Sequence, residues 1–165
     1  MLAEGTPTRN SLLVDEFIYH GSLMTTDNNN SREIRRRIIS ESRAYYGLHK
    51  TLRSNKLRTR TKCTMYKTLI RPVVLYGHEA WTMLEEELQA LGVFEHRVLR
   101  TIYGGVQENG VWRRRMNQEL ARLYGEPSIQ KVTKAGRVRW AGHVVRMPEN
   151  SPARMVFVTN SAGTR

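Results

Sequence analysis

The chain is poor in cysteine. Its 165 residues include a single cysteine, Cys63, so no disulfide can form within the chain. A structural zinc site needs four ligands that are mostly thiolate or imidazole. A cysteine-based zinc knuckle is therefore excluded as well.

Aspartate is also scarce, and the histidines are not paired. Asp15 and Asp27 are the two aspartates of the chain, and both lie near the N-terminus. Two-metal phosphoryl transfer needs clustered carboxylates. The five histidines lie far apart and form no His-x-x-x-His or Cys-His pair of the kind used by metal sites or nucleophilic catalysis. We predict that this chain alone is not an enzyme and holds no cofactor.

Long apolar runs are missing too. No stretch approaches the roughly 18–20 residues that a membrane-spanning helix needs. Residues 1–5 lack the charged segment followed by an apolar stretch that is typical of a secretory signal. With the single cysteine, these features predict an intracellular protein that makes no membrane contact.

Positive charge, by contrast, is abundant and unevenly distributed. The chain has 27 lysines and arginines against 15 acids, a net charge of +12. No acid lies between Glu41 and Glu79, or between Glu126 and Glu149. Solvated helices usually mix signs, because opposite charges four residues apart stabilise them. The missing counter-charge is most simply the phosphate of a nucleic acid; the alternative is a solvated basic face or one that docks on an acidic protein.

Two arginine triplets, at 35–37 and 113–115, are weaker signals. Three consecutive arginines fan around most of a helix, so at least one of them can lie over its own apolar core. Each triplet can also be interpreted as a nuclear address.

Hydrophobic periodicity predicts a mainly α fold. Residues 17–24 are β-prone and precede a turn, and a first helix extends over about 31–53. A second helical stretch begins near residues 57–59, with Pro72 expected to kink or close it. Its apolar residues are predicted to share one side: Met65, Tyr66, Leu69 and Val73. Its basic residues are predicted to share the other: Lys56, Arg60, Lys67 and Arg71.

Further helices follow. A capping box of Thr82 and Glu85 opens a third helix to about Tyr103, with Glu95 in its apolar stripe. A buried carboxylate needs a partner, and an arginine of a neighbouring helix is favoured over a catalytic role. A link over 106–111 precedes a short helix, and Ser128 caps a last one. The tryptophans are predicted core anchors, although any of them could stack on a base: Trp81, Trp112 and Trp140.

Five segments in order carry a family resemblance. They are FIYHGS at 17–22, EIRRRI at 33–38, YKTLIRPVVLYG at 66–77, FEHRVLR at 94–100 and GRVRWAGHVVRM at 136–147. Together they resemble the C-terminal part of the endonuclease-reverse transcriptase of non-LTR (LINE-type) retrotransposons, over about residues 14–158. One position departs from the family, which usually has leucine where this chain has His20.

The resemblance implies a division of labour. Residues 17–30 would be a primer-grip hairpin, with Tyr19 and Gly21 at grip positions. Residues 31–105 would form a thumb-like helical bundle, and 106–148 a smaller post-thumb helical region. The catalytic aspartates of the family lie in a palm upstream of these segments, so the Mg used by the parent polymerase is not expected in this chain. The expected partners are an RNA template, a DNA primer and the palm and fingers region, in the nucleus.

The resemblance and the charge together predict a nucleic-acid-binding fragment that contacts phosphates without reading sequence. Lys56, Arg60, Lys67 and Arg71 are the candidate phosphate contacts. Residues 1–16 are predicted to be a flexible lead-in, and 149–165 a flexible, truncated tail. Two alternatives stay open: a decayed transposon remnant without a function of its own, and a domesticated protein-interaction module.

Overall fold

The computed structural model describes residues 14–26, 30–81 and 83–161 of the chain. Most of these residues are helical, and two short antiparallel hairpins complete the structure. The mainly α fold with a short N-terminal β element is confirmed. Within the described ranges, no helix is both long and apolar enough to cross a membrane. Residues 1–13 of the predicted lead-in and Thr82 lie outside these ranges.

The N-terminal hairpin is fastened to the first helix by polar contacts. Strands β1 (Glu16–Tyr19) and β2 (Ser22–Thr25) are followed by helix α1 (Ser31–Arg53), which has the predicted bounds. Glu33 of α1 is buried and accepts hydrogen bonds from the Leu23 backbone N–H at 2.9 Å and from Arg37 Nε at 2.6 Å. Burial disfavours the charge of Glu33, but these bonds and one from Arg36 outweigh it, so its pKa lies below the ordinary value.

The second helical segment contains a wide turn before its proline. Helix α2 (Thr59–Met65) continues into a π-helical turn (Tyr66–Ile70) and then into helix α3 (Arg71–Val74). Pro72 has no N–H to bond one turn back and its ring crowds that turn, which the wider π geometry relieves. The extra residue rotates the buried face, which is formed by Tyr66, Ile70 and Val74. The predicted apolar side was therefore partly wrong: Leu69 is half exposed.

Helix α4 (Glu85–Tyr103) is the central helix of the core. Its start is set by Glu87, whose carboxylate accepts the Leu84 N–H at 2.8 Å. The helix packs on α1, where the Tyr45 ring meets the Phe94 ring edge-on at 6.1 Å. The main core cluster draws on these helices and on their neighbours: Tyr45, Leu52, Tyr66, Ile70, Phe94, Val98, Leu99, Ile102, Leu120 and Tyr124.

The region after α4 differs from the expectation in two places. The predicted link over 106–111 is part of a second hairpin, β3 (Val106–Glu108) and β4 (Val111–Arg113). Asn109 and Gly110 form its two-residue turn with φ of 51° and 82°, the backbone that an Asn-Gly hairpin turn requires. The predicted flexible tail also contains a helix, α7 (Pro152–Ser161), which starts with proline and packs on the preceding helix.

Helices α5 (Asn117–Tyr124) and α6 (Ile129–Val145) agree with the predicted order. As expected, Ser128 caps α6, accepting the Lys131 N–H at 3.4 Å. The inner face of α6 is formed by Ile129, Thr133 and Val144.

The tryptophans do not all anchor the core. Trp81 is buried as predicted, but Trp140 is 39% exposed and Trp112 is 72% exposed. For these two the prediction was wrong. Trp140 lies outside the inner face of α6, and Trp112 lies on a two-stranded hairpin that no second layer covers in the described part of the chain.

Two carboxyl groups lie inside the core. Glu95 accepts the Tyr66 hydroxyl and the Ile129 N–H, both at 2.9 Å, so its direct partners are not the expected arginine. Burial raises the pKa of Glu95, although these bonds and the charge of Arg71 oppose the shift. Both oxygens of Glu41 are buried without a hydrogen-bond partner among the described residues. Burial first, and the Glu95 charge second, raise the pKa of Glu41 to about 9.

Candidate nucleic-acid interface

A basic cleft forms where the C-terminal ends of α1 and α4 meet. Tyr45 of α1 bonds through its hydroxyl to Thr101 Oγ1 of α4 at 2.7 Å, which fixes the two helices side by side. The resulting cleft, the "basic cleft" below, has a volume of about 690 Å³. Its cations come from α1, α2, α4 and the segment after β4: Arg53, Lys62, Arg97, Arg100, Arg114 and Arg115.

The charge of this cleft has one sign. Among the described residues that line it, none is acidic, and none of the six cations forms an ion pair with a carboxylate in the described ranges. Arg113, the residue next to two of them, shows the contrast. It is held by both Glu119 oxygens at 2.9 Å and by Glu108. The cleft therefore gathers six positive charges that no carboxylate among the described residues neutralises.

The cations in the cleft crowd one another. Burial and then the charge of Arg114 lower the pKa of Arg100, and burial and the charge of Arg100 lower that of His96. Arg100 is oriented by the loop opposite, since its Nε donates to the Arg115 carbonyl at 3.3 Å. Arg115 Nε is buried and has no hydrogen-bond partner in the described structure. An anion in the cleft would relieve the repulsion between these cations.

Two helix ends offset a small part of this positive charge. Arg53 and Arg100 lie in the last turns of α1 and α4, where the unpaired carbonyls carry partial negative charge. Two helix ends supply about one elementary charge together. That is small beside six cations, so the cleft remains strongly positive.

The residues that the sequence predicted as phosphate contacts are distributed differently. Arg60 and Lys67 line a second cleft of about 440 Å³ between α2 and α5, but Glu126 lies there too and binds Lys67 Nζ at 2.7 Å. Arg71 donates to the Tyr124 hydroxyl at 3.3 Å. Lys56 is exposed in the α1–α2 loop and lines neither of these two clefts. The structure therefore brings two of the four together, beside an acid.

The two predicted primer-grip positions lie on the N-terminal hairpin. Tyr19 is exposed at the end of β1, with its ring edge-on to His20 at 4.4 Å. Gly21 has a φ of 78°, and its carbonyl accepts hydrogen bonds from both Arg36 and Arg37. Two arginines of the first triplet are therefore hairpin anchors.

The sequence carried partial signals for the basic cleft. Arg53 and Lys62 belong to the first acid-free interval, Arg97 and Arg100 to the FEHRVLR segment, and the last two cations to the second arginine triplet. Their convergence depends on packing between helices that are distant in sequence. Helical periodicity reports only which residues share one helix face.

Comparison with known proteins shows a distant similarity to a transposon-derived protein. The chain is 28% identical over 148 residues to an uncharacterized protein of Caenorhabditis elegans that is described as transposon-derived. The matched region covers 86% of this chain and 51% of the relative, so the chain spans about half the length of the protein it matches. No protein-family model and no solved structure matches the chain. The similarity supports a transposon origin.

Proposed function

We propose that this chain is a nucleic-acid-binding fragment of a non-LTR retrotransposon reverse transcriptase. It holds an RNA template and a DNA primer through sequence-independent phosphate contacts, and the basic cleft is the contact site. The observation that carries the proposal is the convergence of six cations without an acid on one cleft.

The chemistry of the cleft suits a phosphate backbone. Lysine and arginine side chains bind phosphate oxygens and carry no base readout from such contacts. Four separate elements supply the cations, which fits a ligand whose charges are spread along a strand. Arg97 and Arg100 lie in one of the segments that resemble the reverse transcriptase, so the family resemblance and the electrostatics point to the same surface.

The role proposed is binding without chemistry. The family's catalytic aspartates belong to a palm that these segments follow, and the parent polymerase would supply both the palm and its Mg. The chain would then act as the thumb and post-thumb part of that polymerase, in the nucleus. The transposon-derived relative supports the origin that this proposal assumes.

A salt series with matched variants tests the proposal. Binding of a fluorescein-labelled RNA–DNA hybrid is measured by anisotropy for the wild type and for the triple variant R53A/R97A/R114A, whose three side chains are exposed. Each phosphate contact adds about 0.7–0.9 to the slope of log affinity against log salt. We expect a wild-type slope between about −4 and −5, and a slope shallower by about two in the triple variant.

The control variant removes the same number of positive charges from a different part of the surface. In R43A/R122A/K134A, three exposed cations outside the basic cleft are removed. This variant should keep the wild-type slope within about one unit. A second comparison, K56A/R60A/K67A/R71A, tests the contacts that the sequence predicted. If the cleft variant and its charge-matched control bind alike, the basic cleft is not the contact site.

The alternative hypothesis, a decayed transposon remnant without a function, makes a different prediction. The transposon-derived similarity also fits a decayed fragment without function. Such a fragment should bind the hybrid no better than any protein of equal charge, and should melt broadly or bind the dye ANS. A cooperative melt together with cleft-dependent binding would argue against it.

A further inference from the structure

Trp112 is unusually exposed for its residue type. Its side chain is 72% exposed, whereas Trp81 is 5% exposed in the core. Tryptophan carries the largest apolar surface of any side chain, so leaving it in water forgoes burial free energy. Val111, beside it on β4, is also exposed. The hairpin therefore exposes an aromatic ring to solvent.

The ring is held in a defined place. Its edge lies against Gly105, where an added Cβ would approach Trp112 Cε3 to 3.3 Å. The following residue, Arg113, forms a two-bond pair with Glu119 of α5, each bond being 2.9 Å long. The Asn-Gly turn closes the other end of the strand. A ring on such a braced hairpin loses little conformational entropy when a second ring stacks on it.

Trp112 also lies at the rim of the basic cleft. Gly105, which its ring contacts, lines the cleft, and so do Arg114 and Arg115 only two and three residues further along the chain. A strand whose phosphates occupy the cleft would thus run beside an open aromatic face. Basic grooves next to exposed aromatic rings are the arrangement by which proteins bind single-stranded nucleic acid.

We propose that Trp112 stacks on an unpaired base, so that the cleft takes nucleic acid with a single-stranded nucleotide next to its bound phosphates. This inference rests on the proposed function of the cleft. A base inside a continuous duplex is already stacked on both faces, which leaves none for the ring. Because every base has an aromatic face, the contact tolerates any sequence.

The test compares three ligands of equal phosphate number: a single-stranded RNA, a blunt RNA–DNA hybrid and a hybrid with an unpaired overhang. W112L keeps apolar bulk without an aromatic face, and W112F keeps a smaller face. We expect W112L to bind the single strand and the overhang about tenfold more weakly, with blunt-hybrid affinity unchanged, and W112F to retain most of the affinity. G105A, whose added Cβ would press on the Arg113 carbonyl oxygen at 3.2 Å and on Trp112 Cε3 at 3.3 Å, should shift the hairpin slightly and give a smaller loss than W112L.

Fluorescence supplies a readout that a change in folding does not mimic. In a W140F background the remaining tryptophans are the buried Trp81 and Trp112. Stacking of a base on Trp112 should quench the emission on adding the single strand and leave it nearly unchanged with the blunt hybrid. Melting curves of W112L and G105A confirm that the variants fold.

The outcomes separate the two proposals. If R53A/R97A/R114A weakens binding of all three ligands but W112L weakens none, the stacking inference is wrong and the proposed function stands. If the cleft variant binds every ligand as the wild type does, the proposed function fails, and the inference with it. If a glutamate-rich peptide competes for the cleft and W112L weakens the peptide instead, the surface is a protein-binding site and the inference is overturned.

Discussion

Replacing Glu41 with glutamine should stabilise the protein. The Glu41 carboxyl is fully buried in α1, has no hydrogen-bond partner among the described residues, and lies near the Glu95 charge. Its pKa is raised from 4.5 to about 9 in the folded state. At pH 7 the folded chain therefore holds a proton on Glu41 that the unfolded chain does not hold.

The size of the expected stabilisation follows from the free energy needed to protonate Glu41 at pH 7. Protonating a carboxyl of ordinary pKa at pH 7 costs about 3 kcal/mol. Glutamine has nearly the same shape as the protonated side chain and needs no proton. We expect E41Q to raise the free energy of unfolding at pH 7 by about 2–3 kcal/mol, the unpartnered amide offsetting part of the gain.

The sign of the pH dependence is the sharper test. A folded-state pKa above the unfolded value means that stability is fully present below about 4.5 and decreases as the pH rises towards 9. Glu41 should contribute a decrease of about 1.4 kcal/mol per pH unit within this window, and E41Q should remove it.

The assay is urea unfolding followed by circular dichroism at several pH values from 5 to 8. E149Q is the control, because Glu149 is an exposed carboxylate; it should leave both the stability and its pH dependence unchanged. The reasoning is refuted if E41Q leaves the slope against pH unchanged, or if it destabilises the protein at pH 7.

Four further substitutions test local features. E33Q should lower the free energy of unfolding by about 2 kcal/mol at neutral pH, measured by urea unfolding. Because the pKa of Glu33 is lowered in the folded state, the wild type should lose this extra stability as the pH falls below about 4.5. A difference in stability between wild type and variant that stays the same at acid pH would contradict this. S128A removes the cap of α6 and should lower the free energy of unfolding by about 1 kcal/mol in the same assay. An unchanged free energy of unfolding would show that the cap does not contribute to stability. G136A should destabilise, because its added Cβ would clash with His78 Nε2. G47A, in open space on a helix, should instead stabilise by about 0.5–1 kcal/mol in thermal melts; equal effects of the two glycine variants would count against the packing argument.

The helices were predictable from the sequence where local signals decide them. The bounds of α1 follow from hydrophobic periodicity, and the start of α6 follows from the capping chemistry of Ser128; both signals act within one or two turns. The second hairpin was missed although its Asn-Gly turn was present, because its strands of three residues are too short to show alternation. Periodicity also failed across the π-helical turn, since it assumes a constant angle per residue.

The sequence predicted a basic surface, but not where in the fold the six cations of the basic cleft would meet. Net charge and acid-free intervals indicated a phosphate-binding surface, and the structure contains an acid-free basic cleft. The sequence favoured one helix face, yet Lys67 on that face is paired with Glu126 from a segment 59 residues away. Arg97 was inconspicuous in a helix that begins with three glutamates. Which charges are neutralised depends on tertiary contacts, and the sequence pattern does not contain them.

The π-helical turn at residues 66–70 changes the helical phase between α2 and α3. The segment before it and the segment after it are each regular, but they are offset from one another by about one residue, or 100° of rotation. Deleting an exposed residue of this turn, such as Leu69, would let it close as an ordinary α-helical turn, and buried residues on both sides, Val74 among them, would keep their places in the core. In a regular α-helix the same deletion would rotate every residue beyond it by about 100° and carry buried side chains towards solvent. The π-helical turn is therefore the point of this helical segment at which the chain can lose one residue with the least effect on the core.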